Sequence, residues 1–103
     1  MNIPEIISQT ANRIIELTNP EMVYLYNLKT GISSQVTSFK LCLIADCEKS
    51  EIERRIYLNV DCDIPYDVLI YTGLEWDALS GDPQSFAHKI KHTGRLLYEK
   101  TGR

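Results

Sequence analysis

The stretch VYLYNLKTGISSQVTSFKLCLIAD, residues Val23–Asp46, decides how this chain is expected to fold. Its first residues, together with the preceding Met22, form a run of β-branched, aliphatic and aromatic residues, Met22–Tyr26, which predicts a first strand. The segment Asn27–Thr37 contains glycine, serine and threonine and is predicted to be the connection. Ser38–Ala45 is predicted to be the second strand, so the stretch indicates two strands joined by a loop.

The second strand has two different faces. One face is apolar throughout and carries Phe39, Leu41, Leu43 and Ala45. The other face begins polar and ends apolar, with Ser38, Lys40, Cys42 and Ile44 in that order. This pattern is expected of a strand that is buried on both faces except at one end, where it opens to a cleft.

A helix is predicted before the first strand. Apolar residues recur there at intervals of three and four from Ile3 onward, Asn2 is placed as the N-cap, and Pro4 lies in the first turn. Asn19-Pro20 is predicted to end this helix, because the residue before a proline disfavours the helical conformation.

The segment after the second strand fits a helix or a strand. Ser50 and Glu53 have capping-box spacing, and Glu51 and Arg55 have the spacing of a helical ion pair. The run RIYLNV taken alone would also fit a strand. We favour a helix from Ser50 to about Val60.

The last third of the chain predicts one more strand, followed by two helices and a short apolar run. Tyr66–Thr72 predicts a third strand, LEWDALS a short helix, and Gln84–His92 a further helix that ends at Gly94. The run RLLYE, Arg95–Glu99, is expected to be a final apolar anchor. The order of elements predicts an α/β (α+β) fold, a small mixed β-sheet packed by helices, in one domain over residues 1–103.

Composition excludes several classes of protein. Apolar residues make up 44% of the chain and charged residues 24%, which is typical of a globular domain rather than a disordered one. The net charge of −3 argues against a general nucleic-acid binder, which usually carries a basic surface.

The sequence also bears on localisation. No apolar run reaches the roughly 18–20 residues that span a bilayer. The N-terminus MNIPEIISQ lacks the features of a signal peptide. The three cysteines, Cys42, Cys47 and Cys62, form no C-x-x-C pair. We therefore expect reduced thiols, no zinc site and a cytoplasmic protein.

Two stretches carry a resemblance to a known family. PYDVLIYTGLEWDAL, Pro65–Leu79, resembles the third strand and following helix of the minimal nucleotidyltransferase domains of the DNA polymerase beta-like superfamily. SFAHKIKHTGRLLYE, Ser85–Glu99, is similar to the segment that closes those domains. The resemblance covers roughly Val23–Glu99 and implies a nucleotidyltransferase-like fold.

The resemblance implies a two-metal site for nucleotide transfer. In that family a Gly-Ser turn after the first strand approaches the phosphates, and an Asp-x-Asp pair with a third Asp holds Mg²⁺ through hard oxygen ligands. In this sequence Asn27 and Leu28 fall at Gly-Ser, and Ser38 and Lys40 at Asp-x-Asp. Only Asp67 matches the acidic triad.

Lys40 changes the chemistry of the implied site. Two unit cations 4 Å apart repel by roughly 4 kcal/mol at an effective dielectric of about 20, and a divalent ion feels about twice that. We therefore expect no bound metal and assign no catalytic residue, since Asp67 alone matches the acidic triad. Our hypothesis is that the Lys40 ammonium replaces the metal electrostatically and pairs with Asp67 on the neighbouring strand.

Three other clusters favour a structural interpretation. Asp61 and Asp63 with Asp67 are interpreted as a solvated loop followed by a strand carboxylate. His88 and His92 have metal-ligand spacing, but a solvated basic face that includes Lys89 and Lys91 is favoured. Cys42 is interpreted as a buried, inert thiol rather than a nucleophile.

Three functions remain open at this stage. The leading hypothesis is a degenerate nucleotidyltransferase-like domain that binds protein. It would act as a homodimer, through a sheet edge, or as the small partner of a helical HEPN-type protein, as the resemblance implies for toxin–antitoxin pairs. The second is an enzyme that transfers a nucleotide from an NTP to a hydroxyl with an atypical Mg²⁺ site. The third is a metal-independent regulator whose Lys29 and Lys40 contact nucleotide phosphates.

Overall fold

The computed structural model describes residues 3–100, in which four helices and four strands alternate along the chain. In chain order the elements are α1 (Glu5–Thr18), β1 (Met22–Thr30), β2 (Val36–Ile44), α2 (Lys49–Asn59), β3 (Tyr66–Tyr71), α3 (Gly73–Leu79), α4 (Phe86–Thr93) and β4 (Arg95–Glu99). The predicted α/β class is confirmed.

The strands form one mixed sheet with the order β3-β2-β1-β4. β1 pairs antiparallel with both β2 and β4, whereas β2 and β3 are parallel. A parallel pair needs a crossover connection, and α2 supplies it. The predicted mixed sheet packed by helices is therefore the observed architecture, and α2 decides the ambiguous segment in favour of a helix.

The predicted connection Asn27–Thr37 is wrong. β1 continues to Thr30 and β2 begins at Val36, so the turn is confined to residues 31–35. The Gly31 N–H donates to the Gln35 carbonyl over 2.8 Å, and the Ser34 N–H donates to the Gly31 carbonyl over 3.0 Å. Backbone pairing across this hairpin extends both strands through polar residues that give no apolar strand pattern.

The predicted apolar anchor Arg95–Glu99 is the fourth strand. It pairs with the edge of β1 that β2 leaves open. Gly94 ends α4, as predicted, and the backbone is tightly packed there: a Cβ at this position would come within 2.6 Å of the Ile90 carbonyl oxygen. A glycine at position 94 thus lets the chain pass directly from helix to strand.

The helix starts differ from the predicted caps. The predicted N-cap Asn2 lies outside the described residues, and α1 begins at Glu5 directly after Pro4. The predicted capping box of Ser50 and Glu53 is wrong, because Glu48 is the N-cap of α2 and its carboxylate accepts from the Ser50 N–H. The Glu48 carboxylate thus satisfies one of the N–H groups that the first turn of a helix leaves free, one turn before the N–H that Ser50 was expected to accept.

The interior of α2 follows the prediction more closely than its start. The predicted ion pair forms, with Arg55 Nη2 3.5 Å from Glu51 Oε1. Both side chains are about half exposed, so this pair contributes little to stability.

The sheet is buried on both faces. Face A is the face of β2 that carries Phe39, Leu41 and Leu43, and it packs against α1 and α2. Face B carries Cys42 and Ile44 and packs against α3 and α4 through Trp76 and Ile90. The predicted alternation along β2 is confirmed, including its apolar end on both faces.

Thr72 sets the start of α3 and gives a stability prediction. Its hydroxyl accepts from the Glu75 N–H while the Glu75 carboxylate accepts from the Thr72 N–H. Thr72→Ala removes one half of this capping box. We expect a loss of about 1 kcal/mol in the free energy of unfolding, or about 4–8 °C in Tm. Thermal unfolding followed by circular dichroism measures it.

Ser33→Ala is the matched control for this prediction. Ser33 is exposed in the β1–β2 turn and only its backbone N–H is hydrogen-bonded. A surface change of this kind alters stability by less than about 0.5 kcal/mol. Equal effects of the two substitutions would contradict the role assigned to the cap.

Candidate functional site

Strand register brings the predicted site residues together on face B. Asn27 of β1 lies opposite Lys40 of β2, and Lys29 lies opposite Ser38. Directly opposed residues of an antiparallel pair project from the same face. On the other side of β2, Lys40 is the parallel neighbour of Asp67 in β3.

These five residues form the polar end of face B: Asn27, Lys29, Ser38, Lys40 and Asp67. They span three adjacent strands, next to the apolar part of the same face that α3 and α4 cover. Leu28, the sixth predicted position, lies opposite Phe39 and so belongs to face A. It is 41% exposed there and does not join the other five.

Tyr26 lies at the boundary between the polar end and the apolar cluster. The register of β1 shifts between Leu25 and Asn27, so Tyr26 is the extra residue of a β-bulge. Its ring packs edge-on against Phe86, with ring centroids 5.5 Å apart. Burial raises the pKa of Tyr26, with smaller contributions from Cys42 and Asp67. Tyr26 therefore forms a wall of the site. The sequence analysis placed it only at the end of the first strand, because the bulge that sets its position depends on pairing with β2.

The expected ion pair between Lys40 and Asp67 does not form. The two residues are neighbours in the β2–β3 ladder, but within residues 3–100 no ion pair joins them. Asp67 is exposed and Lys40 is half-buried. An exposed pair gains little over solvation of the two charges by water, so adjacency in the ladder does not hold the side chains together.

The donor set does not fit a divalent metal. Of the residues at the polar end of face B, Asp67 alone offers a carboxylate, and the amine of Lys40 lies on the same face as its register neighbour. Mg²⁺ requires several hard oxygen ligands and is repelled by a nearby cation. In the part of the chain that the structure describes, no group of three or more His, Cys, Asp or Glu side chains could hold a metal ion.

Asp61 and Asp63 do not join Asp67. Both are exposed in the loop before β3, on the side of α1, where the Arg13 guanidinium donates to the Asp61 carbonyl over 3.3 Å. The DCDIPYD run is therefore an exposed loop followed by one carboxylate on β3, as the structural interpretation predicted.

The two histidines of α4 do lie together. Their rings are 4.1 Å apart between centroids, and His88 Nδ1 lies 2.9 Å from the Ser80 carbonyl oxygen. A ring nitrogen at that distance from a carbonyl acts as the donor, so the bond fixes the ring of His88. Lys89 and Lys91 flank the pair on an exposed surface, which is the basic face expected for this helix.

An open groove runs beside β3 on face A. It has a volume of about 680 Å³ and lies between α2, the loop before β3 and β3 itself. Tyr57 of α2 lines it and is 84% exposed, and Val68 of β3 lines its floor. The spacing of apolar residues does not single out Tyr57, because its exposure depends on where α2 lies over the sheet edge.

No helix within residues 3–100 has the length and hydropathy that a membrane span requires.

Cys42 is unsuited to nucleophilic chemistry, which gives a prediction. It is fully buried on face B, and burial raises the pKa of its thiol to about 12. The thiolate is the reactive form, so we expect Cys42 to resist iodoacetamide at pH 8 while the exposed Cys47 is alkylated. Mass spectrometry of the native and the unfolded protein measures both sites.

The same shift gives the pH dependence of stability. Above the ordinary pKa of 9.0 the unfolded state loses the Cys42 proton, while the folded state keeps the thiol neutral up to a pH of about 12. The contribution of Cys42 to the free energy of unfolding is therefore constant below pH 9.0 and is lost as the pH rises towards about 12. Alkylation of native Cys42 as fast as Cys47 would contradict the buried position.

Comparison with known proteins gives no match. No protein-family model matches the chain, and no curated protein or solved structure matches it significantly. The nucleotidyltransferase resemblance therefore remains a prediction that rests on the residues quoted above.

Proposed function

We propose that this chain is a catalytically degenerate nucleotidyltransferase-like domain that acts by binding protein. One observation carries the proposal. β2 and β3 are parallel neighbours in a register that places Lys40 beside Asp67 on one face. That is the place where the resemblance implies two carboxylates, and an amine there opposes the metal that the transfer reaction requires.

Support for a binding role comes from surfaces rather than from the polar end of face B. Both terminal strands of the sheet, β3 and β4, have an unpaired edge among the described residues. Large apolar side chains are exposed on several elements: Ile32, Tyr57, Leu58, Leu74 and Phe86. Tyr57 lines the groove next to β3, and an exposed apolar side chain beside an open edge is typical of a surface that binds another chain.

A second candidate is metal-independent anion binding. Lys29 and Lys40 project from the same face with Ser38 beside them, and in residues 3–100 neither lysine is in an ion pair. Two ammonium groups next to a hydroxyl can contact phosphate oxygens without Mg²⁺. Nucleotide binding of this kind would regulate the protein rather than turn over substrate.

Ligand-induced thermal stabilisation separates these functions. We expect ATP, GTP, CTP and UTP at millimolar concentration to leave Tm unchanged, with and without Mg²⁺ or Mn²⁺. A ligand at 100 times its Kd would raise stability by about 2.7 kcal/mol, or roughly 10 °C or more in Tm. Differential scanning fluorimetry measures the shift.

Both other outcomes of this experiment have a definite meaning. A shift that requires metal would contradict the proposal and favour the nucleotidyltransferase, with Asp67 among its ligands. A shift without metal would favour the anion-binding regulator, provided that Lys40→Met abolishes it. Lys91→Met, on the exposed face of α4, is the matched control and should leave the shift intact.

The partner can be identified by affinity capture from the native host. For the heteromeric form of the proposal we expect a helical HEPN-type protein to co-purify at a fixed ratio, and to do so again when both purified proteins are mixed. Capture of this chain alone would contradict that form and leave the homodimer.

A further inference from the structure

β3 presents a row of free backbone groups. The Phe39 N–H donates to the Pro65 carbonyl over 3.3 Å, and the Ala45 N–H donates to the Tyr71 carbonyl over 2.9 Å. Backbone groups alternate sides along a strand, so the odd-numbered residues of β3 bond to β2. The N–H and C=O groups of Tyr66, Val68 and Ile70 therefore point away from the sheet. No strand within residues 3–100 pairs with them.

This edge lacks the features that usually prevent strand pairing. β3 contains no lysine, no proline and no bulge, and its only charged residue is Asp67. Its length of six residues is ordinary for a paired strand. Natural sheet edges of this kind are covered, because they otherwise pair with another chain.

The surface beside the β3 edge also leaves large apolar side chains exposed to solvent. The groove between α2 and β3 is lined by Tyr57, and Leu58 next to it on α2 is 62% exposed. Glu53 and Arg54 lie on the same wall, so the groove offers both signs of charge to a copy of itself. An added strand at the β3 edge would cover this wall as well as the edge.

The β3 edges of two copies of this chain can pair in a register in which both their backbone groups and their side chains match. We propose that β3 pairs antiparallel with β3 of a second copy, with Val68 opposite Val68 on the two-fold axis. Tyr66 then lies opposite Ile70 of the second copy, and every outward backbone group of both strands is paired. On face A this joins aromatic and β-branched side chains, which are favourable cross-strand pairs.

The same register avoids repulsion on face B. With Val68 opposite Val68, Asp67 lies opposite Leu69 of the second copy and not opposite the other Asp67. The register is favourable in this respect, because like charges directly opposed destabilise a sheet. A contact between β3 and the other open edge, β4, would be head-to-tail and would give a ring or an open filament rather than a two-fold dimer. The symmetric pairing is complete with two copies and extends the sheet to eight strands, twice the four of one copy.

This inference rests on the proposed binding function and names its homomeric form. The proposed pairing is tested by substitution of Val68, the residue that lies on the two-fold axis. We expect the wild type to dimerise, and Val68→Lys or Val68→Glu alone to raise the dimer Kd by about 100-fold or more, because each places two like charges on the axis. An equal mixture of the two variants should dimerise again. Analytical ultracentrifugation measures all three.

Leu96→Lys is the matched control. It places the same charge on β4, where Leu96 is 43% exposed, and should leave the dimer intact. Dimers that survive both single Val68 variants, or no recovery in the mixture of two folded variants, would overturn the register. Loss of the dimer in Leu96→Lys but not in Val68→Lys would place the interface at β4 and overturn the proposal.

Hydrogen exchange of the wild type tests the proposal without a variant. The amides of Tyr66, Val68 and Ile70 should become protected as protein concentration rises. A wild type that stays monomeric, with these amides exchanging freely at all concentrations, overturns the homodimer and leaves the edge to a strand of another protein. That result leaves the binding function standing, whereas a metal-dependent nucleotide shift contradicts the function without affecting the edge.

Discussion

β2 is paired along both of its edges and covered on both of its faces, and the other elements depend on this position. Its antiparallel partner β1 follows from a short turn, but its parallel partner β3 requires α2 to return the chain to the same end of the sheet. α2 then packs on face A, which leaves face B to α3 and α4. The positions of α2, α3 and α4 thus follow from one buried strand with two kinds of neighbour.

Where apolar alternation is strong, the sequence predicts this arrangement. The faces of β2, the strand nature of Tyr66–Tyr71 and the helix at α4 are all readable from the spacing of apolar residues. The second half of β1 is not, because Asn27 and Lys29 extend the ladder through backbone hydrogen bonds that any residue except proline can make. β4 is missed for a related reason: its pairing depends on an edge of β1 that only the assembled sheet provides.

At the candidate site, the backbone neighbours could be predicted but the side-chain contact could not. The resemblance implied that Lys40 and Asp67 would lie on neighbouring strands, and the β2–β3 ladder makes them direct neighbours. The sequence analysis also predicted an ion pair, which does not form because solvent competes for both charges at the open end of the face. Backbone register follows from many hydrogen bonds acting together, whereas one exposed ion pair is decided by a small difference in solvation.

One strand, β3, serves two surfaces without conflict. Asp67 uses its backbone groups to hold β2 and projects its carboxylate on face B, while Val68 turns its backbone groups outward and its side chain to face A. Alternation therefore separates the polar end of face B from the open edge, although they share consecutive residues. A substitution of Asp67 therefore changes face B without removing any of the outward backbone groups on which pairing at the edge depends.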